Sequence, residues 1–175
     1  MGILKSDRVL LRPIERRDLA CLNRWKNDEN VYQFLGGGFA PVSIDVQQKW
    51  LDDLMDTTGA DRRLMIENEK GRAIGMVGLY HINWVHRTCD LGVFIGDQDQ
   101  RHLGYASAAC ILLEQYACQF LNMRKIKAAV VKSNAPAVAL YQKLHYQQVG
   151  CLAQERFIAG RYHDLLMMEK FLNQP

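Results

Sequence analysis

Six residues carry the clearest chemical signal in this chain: Arg101-His102-Leu103-Gly104-Tyr105-Ala106. An apolar, strand-like run precedes them, Leu91-Gly92-Val93-Phe94-Ile95-Gly96, and a long helical pattern follows from Ala106. A strand that turns through glycine into a helix leaves several backbone N–H groups unpaired at the helix's positive end. Such an end binds phosphates and pyrophosphates. Gly104 lets the backbone approach closely, Ala106 is small, and Arg101 can add charge.

A second signal lies some thirty residues on, Asn134-Ala135-Pro136-Ala137-Val138-Ala139-Leu140-Tyr141. Pro136 suits the first turn of a helix, and Asn134 stands where a cap belongs. Read from the residues alone, Tyr141 either packs on the core or offers its hydroxyl to a ligand. Other chemistries lack their marks. There is no G-x-G-x-x-G after a first strand and no G-x-S-x-G. His81 and His86 form the nearest histidine pair, with no further Cys or His to complete a metal set, so no metal is expected.

The elements needed to position these residues are readable. Val9-Leu10-Leu11-Arg12-Pro13 reads as an opening strand closed by its proline. Asp18 to Lys26 spaces Leu19, Leu22 and Trp25 for a helix, and Leu35-Gly36-Gly37-Gly38-Phe39-Ala40-Pro41 is a loop. Ser43 can cap a second helix reaching about Asp56. Leu64–Asn68 and Ala73–Tyr80 form a hairpin, and a strand over about Thr88–Gly96 leads into the phosphate loop. A helix over about Tyr105–Leu121, a strand over Ile126–Val131 and the helix after Asn134 follow. Tyr146–Leu152 and Asp164–Phe171 close the chain around a turn at Ala159-Gly160. The order β-α-α-β-β-β-α-β-α-β-β predicts one α/β domain over residues 1–175, a mixed central sheet flanked by helices.

Composition narrows the class. The 175 residues suit one domain with a real core, 49% being hydrophobic and 23% charged. A net charge of +3, with Arg16-Arg17 and Arg62-Arg63 as isolated doublets, does not make a nucleic-acid surface. No apolar run approaches the roughly 20 residues of a membrane span, and no leader pattern opens the chain. Five scattered cysteines, an odd number without C-x-x-C, read as buried reduced thiols, and the cytoplasm is the expected compartment.

The loop, the Asn134–Tyr141 segment and the element order together resemble the Gcn5-related N-acetyltransferase (GNAT) superfamily over nearly the whole chain. The loop fits that family's Gln/Arg-x-x-Gly-x-Gly/Ala form, with His102 where relatives often carry glycine. The resemblance implies acetyl-CoA as cosubstrate. Arg101, His102, Leu103, Gly104, Tyr105 and Ala106 would hold its pyrophosphate, and Asn134 its pantetheine arm. Backbone groups near Val93, Phe94 and Ile95 would pair with the pantetheine amides, and one N–H there would polarise the thioester carbonyl. Tyr141 would face the sulfur as the acid that protonates the leaving thiolate. The family's Leu-Gly-Phe after this tyrosine is Leu144-His145-Tyr146 here.

Direct attack in a ternary complex also requires removing a proton from an ammonium whose pKa lies near 10. Asp90, which resembles the acid opening this strand in many relatives, is the expected base through water, with His81 and His163 behind it. Two segments resemble the branch of spermidine and ribosomal-protein N-terminal acetyltransferases, a cytoplasmic bacterial group for which a homodimer is expected. These are Leu10-Leu11-Arg12-Pro13-Ile14-Glu15-Arg16-Arg17-Asp18-Leu19 and Glu155-Arg156-Phe157-Ile158-Ala159-Gly160-Arg161-Tyr162-His163-Asp164. Aminosugar-nucleotide acetyltransferases share the second. Polyamine enzymes of this branch cluster acids around the first helix–loop–helix. Here the loop is Gly36-Gly37-Gly38-Phe39, with Asp28, Glu29, Asp45, Asp52 and Asp53 nearby, and its glycines leave room for a peptide terminus or a sugar. The competing class is a non-catalytic acyl-CoA sensor, which would have no use for Tyr141 and Asp90.

Overall fold

β1 (Val9–Pro13) turns Val9 and Leu11 inward and leaves Leu10 and Arg12 half-buried, the alternation of a strand with one covered face. It opens a seven-stranded sheet of order β1-β2-β3-β4-β5-β7-β6 in a computed structural model that describes residues 2, 4–55 and 61–172. The other strands are β2 (Arg62–Asn68), β3 (Ala73–Asn83), β4 (Thr88–Ile95), β5 (Lys125–Val131), β6 (Gln147–Ile158) and β7 (Arg161–Phe171). Every pairing is antiparallel except β4 with β5, which run parallel.

Helices cover both faces. Successive strand residues point to opposite sides, and in β2 Met65 enters one core cluster while Ile66 enters the other. The first side holds α1 (Leu19–Lys26), α2 (Glu29–Tyr32) and α3 (Ile44–Met55), whose Leu22, Trp25, Val31 and Leu51 meet Met65. The second side holds α4 (Tyr105–Gln119) and α5 (Ala135–Lys143) over the larger core. No helix among the described residues is long and apolar enough to cross a membrane.

The structure adds α2, a single turn absent from the expected order; the Asp28 side chain accepts from the Asn30 N–H at 2.9 Å and starts it. α3 is capped by Ser43, whose hydroxyl accepts from the Val46 N–H at 3.2 Å; Asp56, the expected end, lies outside the described residues. β6 and β7 run longer than their sequence reads and meet at Ala159-Gly160, both in the left-handed region at φ 47° and 81°. Of the cysteines, Cys89 and Cys110 are buried and Cys151 is exposed, because it lies on the outer strand β6.

Two buried ionic knots hold the frame. Arg12 on β1 forks onto Asp18 at 2.8 and 2.9 Å and also donates to Glu67 at 2.7 Å. Burial alone would raise the Asp18 carboxyl, but hydrogen bonds from Arg12 and the Glu15 N–H outweigh it and hold Asp18 below its usual value. Beyond β4, buried Asp97 accepts from the Trp25 indole N–H and from Arg24, both at 2.7 Å. Gly96 lies flat against that indole, where a Cβ would come within 2.2 Å of the ring.

Candidate active site

β4 pairs with β5 only through Thr88, Cys89 and Asp90, opposite Lys125, Ile126 and Lys127. Beyond Asp90 the two strands diverge, and β4 keeps a partner on its β3 side alone. The Gly96 N–H donates to Ile74 O at 2.8 Å. Antiparallel alternation then turns the peptide groups of Gly92 and Phe94 toward β3, and those of Leu91, Val93 and Ile95 into the gap. Side chains agree: the Leu91 carbonyl accepts from Tyr141 at 3.2 Å and the Ile95 carbonyl from Arg101 at 3.1 Å.

Val93 therefore offers both its N–H and its carbonyl, and Ile95 its N–H, to a ligand lying in the gap like one more strand. Phe94 departs from the expectation for its backbone, because its peptide groups belong to the β3 ladder. Its ring instead packs edge-on against Trp25 and Tyr32, at 6.0 and 5.7 Å between centroids.

A cavity of about 600 Å³ extends from this gap along the phosphate loop. His102 and Gly104 both hold positive φ, 61° and 86°, so the loop curls its N–H groups to one side. Glycine is free there, whereas histidine pays a left-handed cost of about 1–2 kcal/mol. The N–H groups of Tyr105, Ala106 and Ser107, in the first turn of α4, have no intrahelical acceptor and line the same wall. Arg101, His102, Gly104, Tyr105 and Ala106 all line it. Leu103 does not: its side chain is exposed, and its carbonyl turns away to accept from Arg8. Tyr105 contributes main chain only, since its hydroxyl donates to Glu69 at 2.9 Å.

Asn134 caps α5, its Oδ1 accepting from the Ala137 N–H at 3.3 Å, and it also lines the cavity. Its amide NH₂ has no partner among the described residues, so one side chain serves the helix and leaves a donor for a ligand. Two turns on, Tyr141 is buried, with its ring edge-on to Tyr146 at 5.1 Å between centroids. Burial above all, with Cys110, Tyr80 and Glu114 adding to it, holds the Tyr141 phenol well above its ordinary value. The hydroxyl keeps its proton and points at the gap. α5 ends in a Schellman turn, with N–H bonds from Tyr146 to Tyr141 O at 2.9 Å and from His145 to Gln142 O at 3.0 Å. His145, at φ 67°, occupies the left-handed position that such a turn usually gives to glycine.

On the other face of the gap lies a second cavity of about 630 Å³. Leu91, Gly92, Val93, Phe94 and Ala129 border both, so the two spaces meet where β4 leaves β5. Asp90 lines the second cavity, engaged by Lys127 Nζ at 2.9 Å and His81 Nδ1 at 2.8 Å. His81 also lines it and is 81% exposed at its side chain, so with Nδ1–H on Asp90 its Nε2 is free to accept a proton. His163 lies elsewhere, its Nδ1 on Ser133 Oγ at 2.8 Å beside the first cavity.

A bent, open strand edge, an N–H cradle and a protonated phenol together suit a long acyl carrier ending in a pyrophosphate. The model of the Acetyltransferase (GNAT) domain matches residues 8–147. The chain belongs to the GNAT acetyltransferases. This GNAT enzyme transfers acetyl from acetyl-CoA to nitrogen. It is 28% identical over 173 residues to the spermidine N(1)-acetyltransferase of Vibrio cholerae, covering 97% of this chain and 98% of the relative. The spermidine N(1)-acetyltransferase of Escherichia coli K12 is 32% identical over 166 residues, covering 95% and 87%. The Vibrio cholerae enzyme solved with CoA and spermine superposes with a TM-score of 0.85 at 29% identity, covering 95% and 97%. A dodecameric form of that enzyme matches with a TM-score of 0.79.

Several groups at the GNAT site carry no local sequence signal. Lys26, Trp50, Arg63, Tyr80 and Arg156 meet in the second cavity from α1, α3, β2, β3 and β6. The acids nearest the glycine loop in sequence, Asp28, Glu29, Asp45, Asp52 and Asp53, do not line it. Asp52 pairs with Arg16 at 2.9 Å on the surface, and Asp28 is the cap of α2.

Proposed function

We propose that acetyl-CoA lies along the open edge of β4 and that a primary amine enters from the second cavity to attack it directly. The observation that carries this reading is the gap itself. Val93 presents an unpaired edge there, and the Tyr141 hydroxyl closes on the neighbouring Leu91 carbonyl. Ile95 and Val93 hold the pantetheine amides, Asn134 steadies the arm, and the 101–106 loop with the start of α4 holds the pyrophosphate. The Val93 N–H polarises the thioester carbonyl.

His81, oriented by Asp90, takes one proton from the incoming ammonium through its Nε2, directly or across a water. This reverses the ranking expected from sequence: the carboxylate positions and the imidazole accepts. The amine nitrogen then bonds to the carbonyl carbon and the carbon–sulfur bond breaks. Tyr141 gives its proton to the departing thiolate, the second nitrogen proton returns to the Tyr141 phenolate across a water, and His81 releases its proton to solvent. The products are an N-acetyl amine and CoA with its thiol.

The relatives' substrates place polyamines in the first acceptor panel, beside protein N-termini and aminosugar nucleotides. We also assign the enzyme to the cytoplasm, where acetyl-CoA is supplied, and to a homo-oligomer of which a homodimer is the smallest form. Mass-resolved acetylation of that panel, repeated with Tyr141→Phe, tests the reading. Acetyl-CoA binding without transfer to any amine would refute it and favour a sensor.

A further inference from the structure

The second cavity is charged in the wrong sense for a polycation. Four cations line it: Lys26, Arg63, Lys127 and Arg156. The one carboxylate among its described lining residues is Asp90, whose Oδ2 meets His81 and whose buried Oδ1 is ion-paired with Lys127 at 2.9 Å without accepting a hydrogen bond. Spermidine or spermine, carrying three or four positive charges, would meet four like charges and one carboxylate already charge-paired with Lys127.

Of the other three cations, Lys26 and Arg156 make no ion pair among the described residues, and Arg63 is paired with Asp61. Lys26 lies over the Tyr32 ring, 4.2 Å from its centroid, with no carboxylate within ion-pair reach among the described residues. Arg156 spans from β6 to the glycine loop, where it donates to Gly36 O at 2.8 Å. Arg63 is wedged between the Trp50 and Tyr80 rings, at 5.7 and 5.2 Å. One arm is anchored on Asp61 at 2.8 Å, while its buried Nε has no hydrogen-bond partner. A guanidinium carries five N–H donors, more than Asp61 alone can use.

Resting on the acetyl-transfer reading above, we propose that the acceptor is a small primary amine that also carries an anionic group, phosphate or carboxylate. Arg63, Lys26 and Arg156 bind that anion, while the Trp50 and Tyr80 rings and Phe94 cover the body of the molecule. Gly36 and Gly37 leave the space that a sugar-sized body needs. The amine then sits beside Asp90 and His81, the end of the cavity nearest the gap.

The test is calorimetric titration of the CoA-loaded protein with matched amines: glucosamine 6-phosphate against glucosamine, 4-aminobutyrate against butylamine, and spermine. At least one anionic amine is expected to bind about tenfold or more tighter than its partner lacking the anion, and tighter than spermine. A preference confined to the sugar pair assigns phosphate, and one confined to the butyl pair assigns carboxylate. Arg63→Gln is expected to remove about tenfold of that advantage. Lys26→Gln, which leaves the Trp50–Tyr80 stack untouched, is expected to lower it in the same sense. Spermine as the tightest ligand, equal affinities within both pairs, or no binding by either anionic amine would overturn the proposal. Turnover is read separately: ordered binding with no acetyl transfer refutes the transfer reading and leaves this one standing.

Discussion

Replacing Tyr141 by phenylalanine removes one oxygen and leaves the ring in place, edge-on to Tyr146. The lost hydrogen bond, to Leu91 O, is long at 3.2 Å, so the fold should lose only about 1 kcal/mol. Catalysis should suffer much more. A thiolate expelled without a proton donor forfeits the contribution of general acid catalysis, about 10²–10⁴ in rate, or roughly 3–5 kcal/mol of barrier. The expected result is a kcat lowered by that factor with acetyl-CoA affinity unchanged. The pH profile supplies a second sign. Because burial keeps the phenol protonated past its ordinary value of 10, the native alkaline limb assigned to this acid lies above that value, and the variant lacks it. Acetylated product should be counted by mass, because exposed Cys151 would itself react with a thiol reagent. A variant that keeps more than about a tenth of the native kcat would refute the acid role, since no positioned acid contributes so little.

Other expectations follow from named contacts. His81→Gln should lower kcat/KM about 10²-fold at neutral pH with less effect at high pH, where the amine arrives deprotonated; an unchanged pH profile would remove His81 as the base. Asp18→Asn should cost about 3 kcal/mol in denaturant unfolding, because Arg12 is left buried with half its partners. Asp18's folded value is depressed below 3.8, so the stability it adds is present above that pH and fades as pH falls through the folded value; the variant should show a flatter acid limb. His145→Gly should raise stability by about 0.5–1 kcal/mol, the left-handed penalty being relieved and partly offset by the freer unfolded glycine; a lower Tm would contradict the Schellman account.

The cofactor half of the site was legible because its parts are consecutive. A strand, a glycine and a helix start mark Leu91–Ala106, and Asn134 with Pro136 marks the next helix. Even the departures His102 and His145 fall at left-handed positions, where glycine is the ordinary choice. The phase of β4 was not legible. Sequence alternation assigns side-chain faces, but the Gly96–Ile74, Tyr141–Leu91 and Arg101–Ile95 bonds are what show which peptide groups are free, and they turn Phe94 away. β6 looks shorter in the sequence than it is, because register shifts at Gln148/Gly150 and Leu152/Arg156 break its alternation. The acceptor cavity was the least readable part, since its cations come from elements separated by more than a hundred residues. Sequence proximity pointed to helix acids that the fold places elsewhere.

The short β4–β5 pairing has a mechanical meaning as well. Past its three residue pairs, the Tyr141–Leu91 bond bridges the place where the two strands part, above one hydrophobic core shared by both halves of the sheet. A cosubstrate lying in the gap adds the rungs that the backbone omits, so it works as a splint across the open part of the seam. Amide exchange of the β4 and β5 residues flanking the gap should then slow when acetyl-CoA is saturating, and unchanged protection there would contradict the splint.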